Sequence, residues 1–128
     1  MGDTNFHIKK AERNEQFFQS NNLRASKFDE WGVVVLFYSA VHYVDAVLAR
    51  ETRLPPEWQH PQEHWERNTG VAQSLTLGDI YKDYKLLYDR SLDARYKCIS
   101  FKAGVLNNLE TTCFEPVKCC VRTFLKLP

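Results

Sequence analysis

The stretch WGVVVLFYSAVHYVDAVL, residues 31–48, decides the fold of this chain. At about 100° per residue its apolar side chains share one arc that contains no polar atom, as on the core face of a long helix: Val33, Leu36, Phe37, Ala40, Val41, Val44, Val47 and Leu48. The opposite arc is neither strongly apolar nor as charged as a solvated face would be, and it holds Trp31, Val35, Tyr38, Ser39, His42, Asp45, Ala46 and Ala49. A helix that is apolar nearly all round is a buried helix. We therefore expect this central helix to pack on its own bundle with one face and to meet a partner chain or a ligand with the other.

The remaining segments also carry helical patterns. Periodicity and capping signals predict further helices over residues 6–21, 61–71, 77–96 and 112–125, the last two opened by Thr76 and Thr112 as caps. The central helix is expected to begin at a Ser26–Asp29 capping box and to end near Arg53. Residues 97–108 read as a loop or weak turn, and no repeat or β alternation is visible. The prediction is an all-α fold: an up-and-down bundle of four to five helices in a single domain over residues 1–128.

Composition excludes several classes of protein. The chain has 128 residues, 44% of them apolar and 26% charged, which is an ordinary globular composition. Its formal net charge of +1 offers no general attraction for nucleic acid or an anionic membrane, so phosphate binding has to come from a local cluster. No signal-peptide segment and no apolar run of about 20 residues is seen, which favours a cytoplasmic location without membrane association. The cysteines, which are Cys98, Cys113, Cys119 and Cys120, form no C-x-x-C pair and are expected to be reduced and packed as small apolar groups.

Several polar residues fall on helix faces that ought to be buried. Asn14 lies on the inward stripe of the first helix, where its amide is expected to bridge to a neighbouring helix. Arg95 lies over Leu77 on the helical wheel, so its guanidinium is directed at the buried side and needs a partner. By contrast, Lys118, Arg122 and Lys126 form a basic line on the last helix that reads as a solvated face.

Two motifs resemble enzyme signatures only in their letters. HPQEH, residues 60–64, spells a zinc-protease string, but Pro61 places His60 at a helix boundary instead of one turn from His64. Ser39, His42 and Asp45 project from one helix at three-residue spacing, without the strained turn of a hydrolase nucleophile. For His42 and Asp45 we prefer a hydrogen-bonded pair in which the carboxylate fixes the imidazole tautomer. We expect no cofactor and no metal site, and a zinc-dependent hydrolase is the third and weakest reading.

His64, Arg67 and Asn68 lie within little more than one helical turn, as i, i+3 and i, i+4 neighbours. A forked guanidinium suits two phosphate oxygens, and a neutral imidazole can move a proton, so the three together could grip a phosphate. The alternative is a surface cluster in which they pair with Glu63 and Glu66. The sequence leaves both readings open.

Three elements together resemble a known family. They are FYSAVHYVDAVLA at 37–49, HWERN at 64–68 after a Pro-containing loop, and YKDYKLLYDRSLDARY at 81–96, with HIKKAERNEQF at 7–17 fitting the first helix. Over roughly residues 6–98 the chain resembles bacterial members of the HEPN superfamily, the higher eukaryote and prokaryote nucleotide-binding domain. The resemblance implies a compact helical bundle that pairs into a homodimer, with polar residues of both chains lining a cleft between them.

Many members of that family are metal-independent ribonucleases of toxin or defence type, and others only bind. The nuclease members carry an arginine followed after four to six residues by a histidine. Here Arg67 and Arg90 have no such histidine, and Arg53 with His60 meets the spacing only across the Pro55–Pro56 loop. This chain therefore departs from the nuclease pattern.

We consider two functions. In the first, a homodimeric HEPN-like domain binds RNA or a nucleotide phosphate with Arg67, Asn68 and Arg95. Its catalytic candidates are His64, Arg67 and His42, with support from Asp45, Asn14 and the hydroxyls of Tyr38, Tyr84 and Tyr96. In the second, a non-catalytic interaction module uses the same polar stripe as a dimer interface or against a protein partner, such as an antitoxin-like one.

Overall fold

The computed structural model describes residues 4–23, 29–97, 101 and 104–128, and these contain helices and turns but no strand. The helices are α1 (Thr4–Ser20), α2 (Asp29–Leu48), α3 (Pro56–Gln59), α4 (His64–Gln73), α5 (Tyr81–Tyr96), α6 (Val105–Leu109) and α7 (Glu115–Leu125). A 3₁₀ turn over Gly78–Ile80 leads into α5, and a π turn over Glu110–Phe114 joins α6 to α7. The predicted all-α helical bundle is confirmed. The predicted Ser26 cap and Cys98 lie outside the described residues.

Helix α2 is the centre of the bundle. All eight residues of its predicted core arc are buried, and α1, α5 and α7 pack around it. Helix α1 runs antiparallel to α2, because Thr4 Oγ1 donates to the Ala46 carbonyl at 2.9 Å and Ser39 Oγ donates to the Ala11 carbonyl at 2.8 Å. The second arc of α2 is therefore covered largely by the chain itself. The expectation that this whole arc meets a partner or ligand is wrong for Ser39, Asp45 and Ala46, which are buried within the subunit.

Charged pairs join α1 to α7 across the surface of the bundle. Lys118 Nζ lies 2.5 Å from Glu15 Oε2, and Arg122 donates to Glu12 at 3.1 Å. The hydroxyl of Tyr43 on α2 also donates to Glu15, at 2.8 Å. Lys118 and Arg122 are thus interhelical partners, and the prediction of a purely solvated basic face is wrong for these two residues.

The end of α2 and the start of α5 differ from the predicted helix boundaries, because turns and side-chain caps form where the periodicity predicts helix. Helix α2 ends at Leu48, because the chain tightens into turns ahead of the two prolines. Ser74, not Thr76, opens the next segment: its hydroxyl accepts the backbone N–H groups of Thr76 and Leu77 at 3.1 and 3.0 Å. The regular part of α5 consequently begins only at Tyr81.

The C-terminal segment differs most from its prediction. The predicted loop is wrong from Val105 onward, where α6 begins after Gly104 at φ 86°. Thr112 caps nothing, because it lies inside the π turn with its hydroxyl bonded to the Asn108 carbonyl at 2.7 Å. The wide turn accommodates Pro116, which has no N–H and whose ring would crowd the carbonyl four residues earlier.

Length and composition alone would also admit α2 as a membrane span, since its mean hydropathy over an 18-residue window is 1.5. However, 72% of that window is buried inside the bundle, which is the pattern of a core helix. The length and hydropathy of α2 are therefore only weak evidence for a membrane span.

Candidate functional site

A buried ion pair joins α2 to α4. Arg67 Nε donates to Asp45 Oδ1 at 2.7 Å, and a terminal nitrogen of Arg67 donates to Asp45 Oδ2 at 3.1 Å, while the two residues are only 8% and 5% exposed. This bidentate geometry offsets the cost of removing both charges from water. Burial disfavours the charged guanidinium, but the charge and hydrogen bonds of Asp45 outweigh that effect and raise the pKa of Arg67. Arg67 therefore stays cationic.

The rest of the Arg67 guanidinium is also occupied within the subunit. One terminal nitrogen lies 3.4 Å from His64 Nδ1, and the other reaches the Pro61 carbonyl at 3.5 Å. The predicted alternative, pairing with Glu63 and Glu66, is wrong for Arg67: Glu66 Oε1 instead accepts the backbone N–H of Glu63 at 3.2 Å. The catalytic and phosphate-binding roles of Arg67 stay predictions, and its geometry favours a positioning role.

His64 begins α4 and lies half-buried among aromatic rings. Its ring centroid is 5.6 Å from that of Phe37, 6.4 Å from Tyr38 and 5.4 Å from Tyr88. Burial lowers the pKa of His64, and the positive charges of Arg67 and Arg95 lower it further. The imidazole is therefore neutral near pH 7 and can accept a proton.

His42 makes a contact with a residue of α1 that sequence reasoning did not assign to the site. The Nδ1 atoms of His42 and His7 are 3.0 Å apart, with their ring centroids at 5.3 Å. Asp45 lies one helical turn beyond His42, and the ligand atoms of His7, His42 and Asp45 all fall within 4.8 Å of one another. Burial lowers the pKa of His42 and the Asp45 charge counteracts part of that effect, so this imidazole too is mainly neutral near pH 7. His7 was missed, although it stands on the inward stripe of the first helix.

Arg95 near the end of α5 finds only neutral partners among the described residues. One terminal nitrogen donates to the Tyr38 hydroxyl at 2.9 Å, while Nε and the other terminal nitrogen donate to the carbonyl and hydroxyl of Ser91, both at 3.2 Å. The guanidinium carbon also lies 5.3–5.8 Å from the ring centroids of Phe37, Tyr38 and Tyr96. The partner that the sequence required for Arg95 is thus a set of hydroxyls, a carbonyl and aromatic rings, and no carboxylate.

A groove of about 220 Å³ opens beside Arg95, between the start of α2 and the end of α5. We call it the Arg95 groove; its lining is Glu30, Trp31, Val34, Ala94 and Arg95. Trp31 is 60% exposed, and Tyr96, which lies against the guanidinium, is 71% exposed. The groove therefore brings the Arg95 guanidinium, the Glu30 carboxylate and the exposed Trp31 ring to one surface, with the exposed Tyr96 ring beside the guanidinium.

The other predicted site residues join these contacts only in part. The Asn68 side-chain oxygen and the Tyr84 hydroxyl are buried without a hydrogen-bond partner among the described residues. Burial raises the pKa of Tyr84, so it stays protonated. Asn14 is half-buried, but its side chain forms no bridge to another described residue; Ser39 and Tyr43 link α1 to α2 instead. The bridging role of Asn14 stays a prediction.

The two enzyme-like motifs acquire no catalytic geometry. His60 is exposed just after α3 while His64 begins α4, so the two imidazoles do not lie one turn apart on a shared helix. Ser39 is buried, and its hydroxyl is used on the Ala11 carbonyl. Both observations agree with the rejection of a metalloprotease string and of a hydrolase triad.

Comparisons with protein-family models, with curated proteins and with solved structures found no match for this chain.

Proposed function

We propose that this protein is a HEPN-like domain that binds RNA or a nucleotide through its phosphate at the Arg95 groove, working as a homodimer in the cytoplasm. The observation that carries the proposal is the state of Arg95: a half-buried cation held by neutral groups and facing an open groove. A phosphate would be its missing anionic partner, because a guanidinium fork bonds two phosphate oxygens at once.

The surfaces beside Arg95 suit a nucleic-acid base. Trp31 lines the groove together with Arg95, and Tyr96 lies against the guanidinium; both rings are exposed. Single-stranded nucleic acids bind by stacking bases on aromatic side chains while cations hold the backbone, and each stacked base contributes about 1–3 kcal/mol. A single-stranded segment thus fits the groove better than a duplex does.

In this proposal the residues of the α2–α4 ion pair position the site and do not bind the ligand. Arg67 and Asp45 fix the start of α4, and with it His64, which shares the rings of Phe37 and Tyr38 with Arg95. If the chain cleaves RNA, neutral His64 takes the proton of a ribose 2′-hydroxyl, whose oxygen attacks phosphorus. The P–O5′ bond breaks and the leaving oxygen gains a proton from solvent. This route needs no metal.

Binding of a fluorescent single-stranded oligonucleotide, measured by polarisation, tests the proposal. Arg95→Gln removes the charge and should weaken binding at least about tenfold at low salt, since a charge-assisted phosphate contact is lost. Arg90→Gln is the matched control: it lies on the same helix, is paired with Asp93 and does not line the groove, so it should change binding less than about twofold.

Absence of binding to RNA and nucleotides by the native chain, or equal binding by both variants, would remove the Arg95 groove as the site. For cleavage, His64→Ala should abolish product formation while leaving binding within about threefold. Sedimentation tests the homodimer separately.

The second candidate function is a non-catalytic interaction module. The exposed Trp31 beside half-buried Val34 favours it, because Trp, Tyr and Arg are the residues that dominate protein interfaces. The partner would then be a second copy of the chain or an antitoxin-like protein. A panel of RNAs and nucleotides that all leave the melting temperature unchanged, together with a dimer that Trp31→Ala dissociates, would favour this reading.

A further inference from the structure

Three ligating side chains converge on the side of α2 that faces α1. His42 and Asp45 are one turn apart on α2, so they project in the same direction. The antiparallel packing of α1 brings His7 against them, between the contacts that Thr4 and Ala11 make with α2. These three residues, which we call the two-histidine cluster, lie outside the lining of the Arg95 groove.

The distances within the cluster match those of a small metal site. The Nδ1 atoms of the two histidines are 3.0 Å apart, and one ligand atom of each of the three residues lies within 4.8 Å of the others. Around a tetrahedral ion with bonds of about 2.0–2.2 Å, neighbouring ligand atoms stand about 3.3 Å apart. Side-chain movements of about an ångström therefore bring the donors to ligating distance.

The chemistry of the donors also fits a transition metal. A metal ion binds neutral imidazole and ionised carboxylate, and burial holds His42 mainly neutral by lowering its pKa. Asp45 is held by Arg67 at 2.7 and 3.1 Å, as ligating carboxylates are usually held by an outer hydrogen bond. Two imidazoles with one carboxylate suit Zn²⁺ and its neighbours, whereas Mg²⁺ and Ca²⁺ prefer oxygen donors.

We propose that His7, His42 and Asp45 bind one divalent transition-metal ion of the zinc class, with a fourth position left to water or a small ligand. In the metal-free form the two imidazoles share a hydrogen bond. When the metal binds, the donating ring moves its proton from Nδ1 to Nε2 through solvent, so that both Nδ1 atoms can ligate the ion. Bound metal joins α1 to α2 through His7 and His42. It also shares the Asp45 carboxylate with Arg67, which connects the two-histidine cluster to the α2–α4 ion pair. The two-histidine cluster shares no residue with the lining of the Arg95 groove, so metal binding there can be tested without nucleic acid.

Titration of the metal-free full chain with Zn²⁺ by calorimetry, and with Co²⁺ by visible absorption, tests the site. We expect one equivalent to bind, with the d–d bands of nitrogen and oxygen coordination. We also expect the melting temperature to rise by about 5–10 °C when free metal stands about 100-fold above Kd. His7→Ala and His42→Ala should each weaken binding at least about tenfold, whereas His60→Ala, an exposed histidine outside the cluster, should leave it unchanged.

Thiol binding is the main competing source of signal, because Cys119 is exposed beside Cys120. A sulfur charge-transfer band in the Co²⁺ spectrum, lost in Cys119→Ser, would overturn the proposal. So would absence of binding by the native chain, or unchanged binding by both His7→Ala and His42→Ala. If His7→Ala melts below the native metal-free chain, His7→Gln provides the second variant, which keeps a polar side chain of similar length on α1.

Discussion

Arg67 on α4 and Arg95 on α5 differ in the kind of group that surrounds the guanidinium. Arg67 is matched by a carboxylate from α2 in a bidentate pair that is nearly closed to solvent. Arg95 is matched by hydroxyls, a carbonyl and aromatic faces, and it borders a groove. A buried charge that is fully compensated supports the fold, whereas a charge held only by neutral groups still attracts an anion. The proposed function therefore gives Arg67 a positioning role and expects the ligand at Arg95.

The largest expected effect comes from breaking the compensated pair. Asp45→Asn leaves the Arg67 charge buried without its anion, and removal of one partner of a buried pair costs about 3–5 kcal/mol. Urea unfolding should show this loss in the free energy of unfolding. Asp89→Asn is the control, because its pair with Lys85 is exposed and should contribute less than about 1 kcal/mol.

A double variant separates loss of the pair from loss of packing. Asp45→Asn with Arg67→Met removes both charges and keeps an apolar stem, so it should recover about half or more of the stability that Asp45→Asn loses. A double variant as unstable as the sum of its two single variants would show that the pair itself contributes little, and the contrast with Arg95 would fail.

Arg95→Met is the converse experiment and should have a much smaller effect on stability, about 1 kcal/mol or less. Tyr38 is half-buried and its hydroxyl can turn to water, while the methionine keeps contact with the rings of Phe37 and Tyr38. The same variant should still lose the oligonucleotide binding that the proposed function requires. A loss of stability as large as that of Asp45→Asn would mean that Arg95 is structural.

The contrast between the arginines also shows what the sequence could predict. Periodicity fixed the core face of α2 and the need of Arg95 for a partner, because both follow from neighbours on one helix. It gave no partner for Arg67, since Asp45 lies 22 residues away and only the packing of α4 on α2 brings them together. His7 and His42 are 35 residues apart, and they meet for the same reason.

Errors in the predicted elements have equally local causes. The loop predicted over residues 97–108 hides the start of α6, which has only five residues and too little pattern to detect. The sequence predicts a hydroxyl cap at Thr76, but Ser74 is the residue that caps, and its hydroxyl also contacts Glu51 at 2.6 Å. Ser74 and Thr76 are both suitable caps by residue type, and their position along the sequence does not decide which of them caps.

Acid should lower the free energy of unfolding through His42 and His64. We expect this effect to be smaller than those of the substitutions above. Burial lowers the pKa of both His42 and His64 below the unfolded value of about 6.5. The unfolded chain therefore binds more protons at these positions, so stability falls as pH drops through about 6.5 and levels off below the folded pKa values. Urea unfolding between about pH 7.5 and pH 5 should show a shallower fall for His64→Gln than for the native chain, whereas exposed His60→Gln should follow the native curve. If the stability of His64→Gln fell with pH as steeply as that of the native chain, His64 would take up a proton equally readily in the folded and unfolded chains. Its imidazole would then not be held neutral beside Arg67 and Arg95.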